Sequence, residues 1–569
     1  MMIRKVAVAL ACACAVVFSL TCQNAEQAKA KDPLVRVGKV TIAQGSFDLF
    51  RNKIMRIYPV PLPYYFPGQR RPETFMAEVE AIWQHVKSDS LRNSVKSSLD
   101  WKWKELYFMS APFFDLLNEN LGFSDAELEA RYKKDPEEYR AVTQTEDGKD
   151  SSFIPPFDRV KRMVADKVFY EKYPPDSAFI AGIDMHDHDH DENSIRNYWL
   201  YHVRSNPGEF FMRQFFFERN GAVYESEDQI YSGDGSKSIQ SDDIDIIRSW
   251  VPSNRRNMRM KDLIEWLYKW QIFAEEAKKR GLTNTHEMKE TLGWVLRVEH
   301  AAAYLRGEVE AKFAVPEMDQ ATRDFAELVV FDQMGRVGEL NSMMVQSEVD
   351  NILKARVTVA VDSAIYLIRK SVGVSWLQEE YKDERGSDPV KLFAKADSLR
   401  EAAASGEMEH TEAAKAAMEA ENLFRTVAME FAFTAEGRRA MTEMAKMLVD
   451  RYSNGPRPER FLLNQAIGYY RRSQVLDTDI DALCNSHFMV GFTYDELLGQ
   501  SSLAEANYKW ILRNASGCSL ASDAEFMLLH LGETMTSIEE IRGQSIRQGR
   551  KVDDDEDDAV ENVGENTAG

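Results

Sequence analysis

HFMVGFTYDELLGQSSLAEANYKWILRNASGCSLASDAEFMLLHLG, residues 487–532, decides the fold class of this chain. Its apolar and small residues return at three- and four-residue steps, the spacing of helices that each bury one face. Gly491, Tyr494, Gly499, Ala504, Tyr508 and Leu512 fall where a hairpin of two helices needs them. A small residue lets the first helix approach its neighbour, and Ala504 does the same on the second. Gly491, Tyr494, Ala504 and Tyr508 are therefore the candidate packing residues of a repeat.

The pattern extends in both directions. Ala466, Tyr470 and Leu476 read as the second helix of a preceding hairpin whose first helix runs from Ala440 to Tyr452, and Ala524 to Gly532 starts a further one. This resembles the tetratricopeptide repeat, although the Gly491-to-Ala504 spacing is one residue longer than usual. Two to three hairpins are expected within 435–545, and such arrays bind proteins or stack on themselves. Met441, Met444, Met447 and Leu448 have helical spacing and read as core. Cys484 and Cys518 lie one repeat period apart, near ends that antiparallel helices bring together. In an oxidising compartment they are expected to form a disulfide; the alternative is two small packed thiols.

Upstream, 381–434 is charged and Ala-rich and reads as an exposed helical linker. Residues 33–380 read as a helical region opened by a small β element. Val35, Val37, Val40 and Ile42 alternate around Gly38 as in a hairpin or extended pair. Four prolines in YPVPLPYYFPG, 58–68, exclude a helix interior there. Ser124 and Glu127 form a capping box for SDAELEARYKKDPEEYR, which Asp135-Pro136 should stop. Leu263, Leu267, Trp270, Ala274 and Ala277 define one helix face, which Gly281 ends. Asn284 with Glu287 is expected to cap the next helix. Segments 141–152 and 232–243 read as disordered loops. Tyr132 to Arg140 and Tyr201 to Phe210 echo each other, each a helix ending in a Pro turn followed by an aromatic residue, or are two ordinary helix stops.

The two ends are different in kind. Residues 1–21 carry Arg4 and Lys5 and then an uncharged apolar stretch, Val6 to Leu20, which suits a signal peptide and is short for a membrane span. Ser19-Leu20-Thr21-Cys22 resembles a bacterial lipobox. That resemblance implies a lipid on Cys22, followed by a polar tether over 22–32; the alternative is a plain secretory signal cleaved near Ala28 or Ala30. No later stretch is apolar for 18 residues. The chain has 71 Lys+Arg and 92 Asp+Glu, a formal charge of −21, which becomes −23 once 1–21 is removed. Such a balance argues against nucleic acid as a partner. Residues 546–569 include DDDEDD at 553–558 and read as a disordered acidic tail, solvated or docked to a basic partner.

Three stretches together are similar to the periplasmic parvulin-type foldases, the SurA/PrsA class. They are VRVGKVTIAQGSFDLF (35–50), ENLGFSDAELEARYKKDPEEYR (119–140) and LIEWLYKWQIFAEEAKKRGLTNTHEMKETL (263–292), the last through Glu276, Ala277, Lys278, Lys279, Arg280, Gly281 and Leu282. The resemblance covers about a sixth of the chain and implies a helical chaperone region. A parvulin catalytic domain is not recognisable: no Gly-Gly pair occurs anywhere, and no His-bearing strand pair follows Tyr139. A prolyl isomerase activity is thus the least expected reading.

The fold expected is mainly α, a helical chaperone-like domain with a small N-terminal β element followed by a tetratricopeptide-like array. The function expected is a chaperone-like protein of the bacterial periplasm, anchored to the outer membrane through Cys22. It would bind unfolded or envelope client proteins, with no cofactor. The alternative is a repeat scaffold lipoprotein of an outer-membrane assembly or secretion complex. Among chemical candidates, His186, His188 and His190 alternate with carboxylates and could hold a metal weakly, or form a solvated acidic loop. His286-Glu287-x-x-Glu290 lacks the second histidine of a zincin, 233–238 lacks P-loop spacing, and no GxSxG is present.

Overall fold

A computed structural model describes residues 32–55, 71–144, 150–181, 192–212, 239–250, 259–310, 319–334, 341–454 and 459–533. The fold is mostly helical with a small N-terminal β element. Strand β1 (Pro33–Val37) turns at Gly38, whose φ of 53° favours glycine, into β2 (Val40–Ala43). The chain forms two compact units, one of 41–303 with the first residues, the other of 35–40 with 304 onward.

In the first unit, α1 (Gln44–Leu49) continues as a π turn to Ile54, burying Phe47 and Phe50. Phe50 packs against Phe75 of α2 (Pro72–His85). Helix α3 (Asp89–Ser97) leads to α4 (Leu99–Asn120), and each takes its N-cap from a serine, Ser88 and Ser98. The capping box of α5 (Asp125–Lys134) forms, with Ser124 N donating to Glu127 Oε2 at 2.7 Å. Asp135 ends that helix.

The segment 141–152, read as a disordered loop, instead contributes an antiparallel ribbon, β3 (Ala141–Gln144) with β4 (Asp150–Phe153), Ala141 facing Phe153. Its side chains are largely exposed, so cross-strand backbone pairing, which polar composition does not reveal, holds it. Helices α6 (Phe157–Lys172), α7 (Ser177–Ala181) and α8 (Glu192–Ser205) follow. Of the segment 232–243, also read as a loop, 232–238 lies outside the described residues, and 241–243 is helix: α9 (Ser241–Trp250) begins there, where the Asp243 carboxylate accepts from Gln240 N (2.8 Å) and Trp103 Nε1 (2.6 Å).

Helix α10 (Met260–Lys279) packs along α4, and its face of Leu263, Leu267, Trp270, Ala274 and Ala277 is buried. Gly281 follows it at φ 72°. The cap of α11 (His286–Tyr304) is Thr285, whose Oγ1 accepts from Met288 N at 3.1 Å, and not Asn284, which sits in a preceding 3-10 turn.

The second unit begins with α12 (Gln320–Met334) and α13 (Ser342–Val372). Strand β5 (Val374–Trp376) then pairs antiparallel with β1, Val35 opposite Trp376. The expected exposed linker at 381–434 is instead a packed hairpin of α14 (Pro389–Ala404) and α15 (His410–Glu430). Its alanines allow close approach, and Phe393, Ala396, Phe424, Val427 and Ala428 share one core with Ala440, Met441 and Met444. The charge lies on the other faces, which is why composition suggested solvent. Then come α16 (Ala435–Asn454), α17 (Arg460–Leu476), α18 (Ile480–Phe492, prolonged by a π turn to Leu497), α19 (Ser501–Asn514) and α20 (Ala521–Leu529). From α14 to α20 each helix packs on the next.

Candidate polypeptide-binding cleft

Gly491 and Tyr508 meet. A Cβ added to Gly491 would stand 2.7 Å from Tyr508 Cε1, so the glycine is the socket for a ring that is itself wholly buried. Ala504 is buried beside them in the same core. Tyr494, in the π turn after α18, does more than fill space. Its hydroxyl donates to Asp332 Oδ1 at 2.7 Å, and Arg471 Nη2 donates to Asp332 Oδ2 at 3.0 Å. One carboxylate thereby ties α12, α17 and the π turn together. Burial pushes the Tyr494 hydroxyl up to about 12, so it stays a donor.

Cys484 and Cys518 are joined by a disulfide with Cα atoms 6.4 Å apart, linking the start of α18 to the chain just after α19. His487, which no motif singled out, is fully buried and stacks on Trp510 with ring centroids 3.7 Å apart. Burial drives its pKa down to about 3, so it is a neutral packing residue.

The first unit holds a buried ionic cluster. Lys104 Nζ donates to Asp100 Oδ2 and Glu299 Oε1, both at 2.7 Å, while Trp250 Nε1 donates to Asp100 Oδ1 at 2.8 Å. Desolvation raises Glu299 to about 7 despite the ammonium. These contacts join α4, α9 and α11.

A cavity of about 530 Å³ lies over α16, between α15 and α17. Each helix contributes residues at helical spacing: Glu421, Arg425 and Met429 from α15; Met444, Leu448 and Arg451 from α16; Gln465, Gly468, Tyr469 and Arg472 from α17. Met444 and Leu448, buried as a core stripe should be, also make its floor. Gly468 widens it: a Cβ there would meet nothing within 4 Å. At the rim, the Glu421 carboxylate accepts from Arg425 at 2.6 Å and from Arg451 at 2.5 Å. Arg472 is exposed and makes no ion pair or hydrogen bond among the described residues. Sequence reasoning missed the cleft because its parts are split over three helices; only the i, i+4, i+8 row at 421, 425 and 429 was available as a signal.

Cys22, His186, His188 and His190 lie outside the described residues, as do YPVPLPYYFPG and the acidic segment 553–558. Among the described residues no group of three or more His, Cys, Asp or Glu is placed to hold a metal, and no helix is long and apolar enough to cross a membrane. No family model matches the chain, and neither a curated protein nor a solved structure matches it.

Proposed function

We propose that this chain is a polypeptide-binding protein of the chaperone kind, acting in the bacterial periplasm as a lipoprotein held at the outer membrane through Cys22. The observation that carries the reading is the cleft across α15, α16 and α17, an apolar floor under a cationic rim on a helical-hairpin array. Clefts of roughly 300–1,000 Å³ take small groups and not whole folds, which fits a side chain or two of an extended client segment. Methionines suit the task because the thioether adapts to side chains of different shape, which a protein with many clients needs. The −21 chain repels other acidic proteins and itself, which favours a holder that stays soluble.

The resemblance of 35–50, 119–140 and 263–292 to parvulin-type foldases supports the same role, carried out by binding without prolyl isomerisation. Between Tyr139 and Phe157 the described residues form only the short β3–β4 ribbon. Suppression of aggregation of an unfolded outer-membrane protein by the mature chain tests the proposal, and a chain that leaves aggregation unchanged refutes it. The rival reading, a scaffold of an envelope assembly, is favoured by the continuous stacking from α14 to α20. Crosslinking and pull-down of the native lipoprotein separates the two: a defined stoichiometric complex supports the scaffold, a spread of unfolded clients the chaperone. Turnover of a Pro-containing tetrapeptide would instead establish an isomerase.

A further inference from the structure

The cleft also specifies what kind of segment it takes. Its ionisable lining is three arginines and one glutamate, a local charge of +2 on a chain whose formal charge is −21. The single carboxylate is already shared between Arg425 and Arg451, which it orients along the rim. Arg472, across the floor on α17, has no such partner among the described residues. Guanidinium groups present a planar fork of donors that matches a carboxylate in bidentate geometry, and their charge is permanent. Beneath them, Met444 and Leu448 are 2% and 6% exposed, Met429 is 49% exposed, and Tyr469 is half-buried. A purely acidic ligand would leave the accessible apolar surface of Met429 and Tyr469 wet. A purely apolar one would desolvate the arginines without replacing their hydrogen bonds, which disfavours it.

We propose that the cleft binds an extended polypeptide segment with one bulky apolar side chain flanked by carboxylates, the apolar group against the accessible parts of Met429 and Tyr469 beside Gly468 and a carboxylate on Arg472. The proposal rests on the polypeptide-binding reading above and adds its ligand class. Gly468 is the specificity element: its missing Cβ leaves room for the apolar anchor. Six adjacent acids occur at 553–558, but no bulky apolar residue accompanies them, so this chain's own acidic segment meets only half of the requirement.

The test uses the full mature chain and four fluorescein-labelled probes read by polarisation. These are a peptide with phenylalanine between Asp-Glu pairs, its Lys/Arg-flanked counterpart, its alanine-centred counterpart, and a peptide of residues 551–569. The acidic phenylalanine peptide is expected to bind at least tenfold more tightly than the other three and to weaken as salt rises. Arg472→Glu, at an exposed position, should cost tenfold or more. Gly468→Leu, whose side chain enters open space, should do the same with helicity retained. Equal binding of the basic or alanine-centred peptide overturns the ligand class, as does equal binding of 551–569. So does an affinity that neither substitution changes by more than twofold. Aggregation suppression is measured in parallel. Loss of suppression by the unaltered chain refutes the chaperone reading, while peptide discrimination in the same samples still upholds the ligand class.

Discussion

Replacing Gly491 by alanine should destabilise the second unit when Tyr508 is present and stabilise it when the ring is gone. The new Cβ would lie 2.7, 2.9 and 3.0 Å from Tyr508 Cε1, Cζ and Cδ1, well inside van der Waals contact. The ring has no exit, since Tyr508 is fully buried in a core that also holds Ala504, Ile511 and Leu503. Overpacking of this kind costs about 1–3 kcal/mol. Against it stands the gain of about 1 kcal/mol from exchanging glycine for alanine inside a helix. The net expectation in the native background is a loss of up to ~2 kcal/mol. In a Tyr508→Leu background the clashing ring atoms are absent and only the propensity gain of about 1 kcal/mol remains. The sign therefore reverses, and a double-mutant cycle should give a coupling of about 1–3 kcal/mol. Amide hydrogen exchange in α18 and α19 reads this locally, without requiring the whole chain to unfold in one step. Effects of the two substitutions that add within ~0.5 kcal/mol would refute the socket-and-ring account of this repeat.

Reduction of the Cys484–Cys518 bridge opens a loop of 34 residues, for which the chain-entropy relation gives about 3.8 kcal/mol. Earlier exchange in α18–α19 under reductant is the readout, and two alkylatable thiols in the non-reduced mature protein would rule the bridge out. Gly437→Ala should be among the most damaging surface-distant changes. Its Cβ would overlap the Phe431 carbonyl oxygen and stand 2.5 Å from the Phe431 carbonyl carbon, backbone that cannot yield. A loss of roughly 2–3 kcal/mol, about 5–10 °C in the melting of the second unit, is expected by calorimetry, and an unchanged melting temperature contradicts it. Glu299 has a folded pKa of about 7, above its ordinary 4.5, so the folded state holds the proton more tightly. Its contribution falls as pH rises from about 4.5 to 7 and is flat above, on the order of 3 kcal/mol in all. Urea titrations from pH 4 to 8 should show this falling limb in the native chain relative to Glu299→Gln; parallel curves would disprove it. Finally, Tyr508→Phe removes a buried hydroxyl with no hydrogen-bond partner among the described residues, so it should be neutral or stabilising by up to ~1 kcal/mol, read by the same exchange experiment.

Local patterns that depend on one helix were legible in the sequence. The capping box at Ser124 and Glu127, the buried face from Leu263 to Ala277 and the glycine stop at 281 follow from three- and four-residue spacing and backbone chemistry alone. Patterns that need a partner were not. The segment 381–434 looked solvated because its charges outnumber its anchors, yet Phe393 and Phe424 are enough to seat two Ala-rich helices on α16. The polar ribbon at 141–153 exists through backbone pairing, to which side-chain polarity is nearly blind.

The sequence by itself determined the helical class, the hairpin periodicity and the small residues that let helices approach, because those are properties of single helices and of chain-local sterics. Tertiary structure decided which faces meet. It seated Tyr508 in Gly491, placed the Asp332 carboxylate between Arg471 and Tyr494 across 162 residues of chain, and gathered Arg425, Arg451 and Arg472 from three helices around one apolar floor. Sequence spacing reports which residues share a helix face. The angle and offset at which neighbouring helices pack report which faces form a site, and those are set by the summed side-chain volumes of the core.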